Sequence, residues 1–289
     1  MKKQERSKII MRKSTRMRLM KILIITGLLI GLVYALFPVV WMISCAFKSN
    51  TEVFTVPQRI IPRRPTLEAF SQVMTDRGKL RYFLNSYIIA MVTTAITLFV
   101  AILAAYALSR YAFRGKKPLN VFIIITQAVP PMTLLIPYFG MLVLFGLYDS
   151  YWALIVTYLV FTLPYATIMI TGYINTLPKD LDEAVAIDGG STWCVLWRVL
   201  VPISTPGLVA TAIYTFLQCW NEYLFALCLT KSGEMRTVPV GIQLLMGQIS
   251  YKWNEMMAMS ILGSIPIIIL FIFAQNYFIA GLSAGAIKS

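Results

Sequence analysis

Apolar residues in this chain run in long blocks separated by short polar stretches. Six blocks are read, at about Ile22–Phe47, Tyr82–Leu108, Leu119–Leu144, Tyr151–Ile174, Ile203–Leu229 and Met257–Ala280. Each approaches or exceeds the roughly 20 residues a helix needs to cross a bilayer. A transmembrane barrel would instead show short segments of alternating polarity. The pattern therefore predicts an all-α integral membrane protein of six transmembrane helices. Pro130-Pro131 falls inside the third block and should kink or unwind it.

Six crossings place the connections on alternating sides. The N-terminal arm, Arg110–Pro118, Asn175–Pro202 and the C-terminal tail share one side, with 16 lysines and arginines. Lys48–Arg81, Phe145–Ser150 and Thr230–Met256 share the other, with 10. The short Arg110–Pro118 loop carries four basic residues and no acid. Basic residues in short loops mark the cytoplasmic side, so both termini are expected there. The expected organisation is a basic cytoplasmic arm, 1–21, followed by a transmembrane domain, 22–289. Within the latter, 176–202 is a cytoplasmic loop and 230–256 an extracytoplasmic one. The polar, proline-containing stretch Lys48–Arg81 should hold one helix near Leu67–Met74. No internal repeat is visible.

Composition narrows the chemistry. The chain of 289 residues is 58% hydrophobic and 13% charged, with a mean hydropathy of +0.72. A soluble domain carries roughly 25% charged residues. There is no histidine, which removes imidazole metal sites, proton relays and Ser-His-Asp triads. The four cysteines, Cys45, Cys194, Cys219 and Cys228, form no C-x-x-C pair and read as free thiols. No metal site is expected. Nine lysines and arginines lie between Lys2 and Lys21. Beside a membrane span, such an arm sets topology and attracts anionic headgroups rather than nucleic acid. The apolar block behind it is too long for a secretory signal peptide, and no small-residue cleavage site ends it.

One polar segment stands out between the fourth and fifth blocks. Asp180 followed by Glu183 reads as an N-cap with its reciprocating glutamate. Asp182 and Glu183 suit a first helical turn, where negative charge is favoured. The helix should run Leu181–Asp188 and stop at Gly189-Gly190. Ser191 or Thr192 can cap a second helix, limited by Pro202. Two short helices on a tight glycine turn could be a docking surface. They could equally be an amphipathic linker lying on the bilayer, with Trp193 and Trp197 at the interface.

The run Glu183-Ala-Val-Ala-Ile-Asp-Gly-Gly190, with Pro202 nineteen residues after the glutamate, resembles the EAA loop of ABC-importer permeases. The family pattern has alanine where this chain has Val185 and Gly190. Trp220–Thr230 and Met235–Gly241 resemble the fifth-span signature and the following loop of carbohydrate-importer permeases. Phe271–Asn276 and Ala280–Lys288 resemble their sixth span and tail, the latter pointing to the MalG-like member of the permease pair. The resemblance implies a type I importer permease fold in a bacterial cytoplasmic (inner) membrane. It implies that Glu183, Ala184, Asp188, Gly189, Gly190 and Pro202 couple to an ATP-binding cassette ATPase dimer. It also implies a homologous second permease, an extracytoplasmic solute-binding protein and a sugar substrate. No phosphate-binding G-x-x-x-x-G-K-[ST] loop occurs here, so ATP and Mg are expected on a separate ATPase and no cofactor on this chain.

Within the spans, Glu222 is the sole acid, and a charge at that depth should face a cavity or a partner. It reads either as a solute contact or as a structural hydrogen-bonding group. Gln218, Asn221 and Glu222 lie within about one helical turn, beside Trp220 and Tyr223, and suit a sugar's ring faces and hydroxyls. The aromatics also suit interfacial anchoring. Gln127 with Pro130-Pro131 marks a second polar, broken region, which reads as pathway lining or as a packing kink. Thr230–Met256, with Gln243, Gln248 and Asn254, is longer than a connector needs and is expected to approach the solute-binding protein. An ion-coupled secondary transporter of a polar solute is the alternative. It predicts intramembrane ionisable pairs, and the sequence offers none.

Overall fold

In the computed structural model the backbone is described for residues 2–247 and 251–286, and side chains for 17, 19–247 and 251–275. Gln248 and the end of the expected tail lie outside the described residues. The described elements are helices, apart from one isolated antiparallel bridge, Met246 to Tyr251. They form two compact units: Met1–Ser71 with Lys252–Ile261, and Gln72–Tyr251 with Leu262–Ser289.

The first unit is dominated by α1 (Lys2–Ala46), which joins the basic arm and the first apolar block into one helix. Its apolar side chains from Met17 to Val40 are almost all exposed. Burial begins at Ser44, Cys45 and Ala46, where the following segment folds back. A short helix α2 (Asn50–Val53) follows, capped by the Ser49 hydroxyl. The helix expected near Leu67–Met74 is α3 (Glu68–Thr75), which crosses into the second unit at Ser71.

The second unit opens with α4 (Arg77–Arg110), whose N-cap Asp76 accepts from the amides of Gly78 and Lys79. The third block is broken as its prolines require. Helix α5 (Lys116–Thr126) ends before Gln127, and a 3-10 turn at Pro131–Leu134 leads into α6 (Leu135–Leu144) at a bend of 94°. Helix α7 (Tyr151–Ile174) matches the fourth block. Helix α8 (Asp180–Ile187) comes next, followed by α9 (Thr192–Cys194), a π-helical turn at Val195–Leu200 and α10 (Val201–Ile203). The chain then bends by 77° into α11 (Thr205–Asn221). After a break at Glu222-Tyr223 come α12 (Leu224–Leu229), α13 (Val238–Leu244) and α14 (Trp253–Ala286), which enters this unit at Leu262. Among the described residues, four helices are long and apolar enough to cross a membrane, and up to six if each bent pair is one span.

Small residues set how closely these helices approach. Ala101, Ala105 and Ala166 are fully buried where α4 meets α7. The Thr97 and Thr162 hydroxyls bond each other at 2.8 Å across that seam. Buried Thr157, Thr162 and Thr211 also donate back to carbonyls four residues earlier. A polar group therefore enters an apolar interior with its hydrogen bond already made. Next to the seam lies a cluster of Ile102, Tyr106, Ile170, Ile174, Val195, Leu196 and Leu200. The last three come from the 175–202 loop, so part of this loop belongs to the core.

Candidate coupling loop and solute groove

Helix α8 begins one residue earlier than its capping chemistry suggested. Asp180 is the first helical residue, Lys179 is the N-cap, and no side chain caps the helix. Asp180, Asp182 and Glu183 act through their charge in the first turn instead. The C-terminal end is made as expected. Gly189 has φ +76, its amide bonds the Ala186 carbonyl at 3.1 Å, and the Gly190 amide bonds the Val185 carbonyl at 2.8 Å. This double bond pattern with a left-handed glycine is a Schellman stop. Ser191 caps the next helix through the Cys194 amide at 3.4 Å. Pro202 does not end that helix. The π turn widens the helix before it and α10 carries on to Ile203.

The loop has two unlike faces. Glu183, Ala184, Ala186, Ile187, Asp188 and Gly189 are exposed, Ile187 at 86%. Leu181, Asp182 and Val185 turn inward, and Val185 packs on the core cluster. The two departures from the EAA pattern meet each other. A Cβ built on Gly190 would lie 2.5 Å from Val185 Cγ1 and 3.0 Å from the Val185 carbonyl oxygen. The larger residue at 185 occupies the room that the missing methyl at 190 leaves. Pro202 is exposed one turn from the bend.

Arg110, at the end of α4, fastens this loop. Its Nε donates to Asp182 Oδ2 at 2.9 Å, and the two side chains are 6% and 20% exposed. Its terminal nitrogens reach the Ile174, Leu177 and Pro178 carbonyls at 3.4–3.5 Å. A cation there satisfies carbonyls left over at a helix C-terminus. Ser109 adds a bond to Asn175 Oδ1 at 2.6 Å. One guanidinium thus joins the ends of α4 and α7 to the first turn of α8. Sequence reasoning used Arg110 only to assign topology, because its partner lies 72 residues away.

The four polar residues singled out within the spans come together. Gln127, Gln218, Asn221 and Glu222 line one groove of about 420 Å³, built from the α5–α6 break, the middle of α7 and the α11–α12 break. Pro164 removes the amide that the Val160 carbonyl would otherwise accept from, and both residues line the groove. Tyr165 and Tyr214 stack in it at 3.8 Å between centroids, and Gln218 Nε2 donates to the Tyr214 hydroxyl at 2.7 Å. These two tyrosines were missed. Tyr214 and Gln218 are four apart on a helix, a spacing that could have paired them. Among the described residues, no lysine or arginine lines the groove.

Glu222 lines the groove and is also held by three hydrogen bonds. Its carboxylate accepts from the Phe225 and Ala226 amides at 2.8 and 3.0 Å and from the Tyr158 hydroxyl at 2.7 Å. It thereby caps α12 at the end where negative charge is favoured. Trp220 is neither an interfacial anchor nor a groove residue. It is 3% exposed, donates to the Gly263 carbonyl at 3.1 Å and packs edge-on against Tyr87.

The 230–247 segment is pinned rather than loose. Asp149, at φ 58, accepts from the Lys231 and Ser232 amides at 2.8 and 3.0 Å. Burial opposes its charge, but these amide donors outweigh burial and hold the carboxyl below its ordinary range. Asn85, fully buried, donates to the Glu234 and Arg236 carbonyls, both at 2.7 Å, and accepts from Tyr151. Ser86 accepts from the Val238 amide at 2.8 Å.

Comparison with known proteins follows the same lines. Residues 97–283 match the family model of the binding-protein-dependent transport system inner membrane component. The chain is 36% identical to the trehalose/maltose transport system permease protein MalG of Thermococcus litoralis, over 93% of this chain and 98% of that one. It is 34% identical to the sulfoquinovosyl glycerol transport system permease protein SmoH of Agrobacterium fabrum, over 89% and 90%. Its fold matches a chain of a bacterial ABC transporter involved in the import of the acidic polysaccharide alginate. That match has a TM-score of 0.76 at 22% identity, covering 88% of this chain and 95% of that one.

Proposed function

Because this chain belongs to the family of inner-membrane components of binding-protein-dependent transport systems, we propose that it forms half of the path of an ATP-driven sugar or oligosaccharide importer. It is a transport subunit of the inner membrane and not an enzyme. In this reading the chain crosses the bilayer six times, α5–α6 forming the third crossing and α11–α12 the fifth, with both termini in the cytoplasm. A homologous second permease covers the groove side, a pair of ATP-binding cassette subunits docks on the 175–202 loop, and a solute-binding protein delivers sugar from outside.

The observation that carries this reading is the division of the 175–202 loop. Its outward face (Glu183, Ala184, Ile187, Asp188) is free to enter a partner, while Val195, Leu196 and Leu200 are built into the core. A push on α8 therefore travels into α4 and α7 through Arg110 and that cluster. Gln127, Gln218 and Asn221 are exposed in a span region, which is costly against lipid and favours a watery path. The stacked tyrosines offer flat apolar faces beside amide groups, a combination that suits a sugar ring with its hydroxyls.

The test is Glu183→Lys in the reconstituted importer. The variant should insert normally and lose ATPase association. Normal association and transport would remove the docking assignment. Transport by the purified chain alone, driven by an ion gradient, would replace the whole reading with the secondary-transporter alternative.

A further inference from the structure

The segment that follows the first apolar helix is tied back to that helix's end. The Thr66 amide bonds the Phe47 carbonyl at 2.9 Å, and Phe47 packs on Phe70 at 5.2 Å. Ser44 Oγ donates to the Ile60 carbonyl and Lys48 Nζ to the Arg59 carbonyl. Lys48 is 3% exposed, with its ammonium 4.9 Å from the Trp41 ring centre. Residues 59 and 60 are thus held at the level where the apolar stretch Leu19–Ala46 ends. A stretch of 28 residues is long enough to cross the hydrocarbon and emerge into the headgroup region, so with α1 as the first crossing this level falls in the interfacial zone.

What this segment presents is unusual for a water-facing loop. Val56 is 91% exposed, Ile61 80%, Phe54 55% and Ile60 50%. Arg59, Arg63 and Arg64 are exposed among them and have no ion pair among the described residues. Arg63 and Arg64 border a polar hollow of about 380 Å³ whose other walls include the Ser49, Thr51 and Thr55 hydroxyls. Glu52 also lines it, with Oε1 engaged by the Arg63 amide at 2.7 Å. Aliphatic side chains beside unpaired arginines, fixed at interface depth, match an acyl-and-phosphate surface and not open water.

We infer that the 54–64 segment is an interfacial anchor: its aliphatic residues enter the outer edge of the bilayer, and Arg59, Arg63 and Arg64 hold the phosphates of anionic phospholipids. The occupant is lipid. A docked solute-binding protein is the competing occupant, and the experiment separates the two.

The full-length chain is placed in nanodiscs of phosphatidylcholine, with or without phosphatidylglycerol, and hydrogen exchange of peptides covering 54–64 is followed. Phosphatidylglycerol should slow exchange. That slowing, read locally at 54–64, should fall at least about tenfold in Arg59→Gln/Arg63→Gln/Arg64→Gln, each arginine being worth roughly a factor of five near an anionic surface. Val56→Ser/Ile61→Ser keeps all three charges and should speed exchange in both lipids, which covers the case of a triple variant that fails to accumulate. Equal exchange in the two lipids, or undiminished slowing at 54–64 in the triple variant, overturns the inference. Protection that arises only when solute-binding protein is added also overturns it, in favour of the protein occupant.

Discussion

Replacing Arg110 by methionine tests whether loop motion reaches the spans through one side chain. The substitution keeps much of the apolar stem and removes the charge. At an effective dielectric near 20, two unit charges about 4 Å apart attract by about 4 kcal/mol. Deleting one partner of a buried pair costs about 3–5 kcal/mol, because the other charge is left uncompensated. Asp182 keeps 20% side-chain exposure, while its Oδ1 is buried without a hydrogen-bond partner, so at least the low end, about 3 kcal/mol, is expected. That is roughly a hundredfold shift in the equilibrium between the fastened and the loosened loop. Helix α8 has only 8 residues and cannot hold its place by helix stability alone. In proteoliposomes containing the complete importer, Arg110→Met should keep its ATPase, because the Glu183 face is untouched. Solute carried per ATP hydrolysed should fall at least about tenfold. Asp182→Asn should move the ratio the same way by less, and the double variant should be no worse than Arg110→Met, since the two residues act as one pair. An unchanged solute-to-ATP ratio in Arg110→Met, or strictly additive losses, would refute the transmission role.

Four further outcomes follow from particular contacts. Gly190→Ala should cost about 1–3 kcal/mol of stability through overpacking against Val185; thermal unfolding in detergent should show Val185→Ala/Gly190→Ala more stable than Gly190→Ala alone. Gln218→Ala should raise the KM for transported sugar with little change in stability. Glu222→Gln should instead lower the unfolding temperature, because its single carbonyl oxygen strands one of the two backbone amides now bonded, at about 1–3 kcal/mol; a KM effect without destabilisation would reassign Glu222 to the solute. Asp149 has a depressed carboxyl, so its contribution is fully present above the ordinary value of 3.8 and is lost as pH falls through the lowered one. Asp149→Asn should remove about 1 kcal/mol at neutral pH, the low end for bonds to a partly solvated charge, and faster hydrogen exchange at Lys231 and Ser232 would report it.

Much of the architecture was legible because its signals are local. The fourth block coincides with α7 at both ends, and Pro130-Pro131 marked the break between α5 and α6. The glycine stop after α8 and a cap at Ser191 or Thr192 were readable from residue type alone, and the structure uses Ser191. The Asp180 cap failed for a physical reason. Its Asp-x-x-Glu spacing offered a capping box, but the Leu177 and Pro178 carbonyls are held by Arg110, and the helix starts with Asp180 already inside it. The fifth block was read as one span, yet it breaks at Glu222, because a carboxylate can take the place of the carbonyls that would continue the helix.

The site divided along the same line between near and far. The outward face of α8 carries Glu183 and Ala184, which the resemblance to the EAA loop had singled out. What holds that face could not be read from local sequence. Arg110 looked like a topology charge because its meaning depends on Asp182 and on carbonyls beyond Ile174, contacts made only after α4 and α7 pack. The groove shows the same dependence. Gln127 and Gln218 are 91 positions apart, and nothing in either segment says they share a wall; folding brings them together because the α5–α6 break and α11 both border the middle of α7. Val185 and Gly190 are the instructive middle case. Read singly, each is a mild departure from a family pattern. Read as a pair five residues apart across a Schellman turn, one supplies the volume the other lacks, so the pair should be exchanged together and not one at a time.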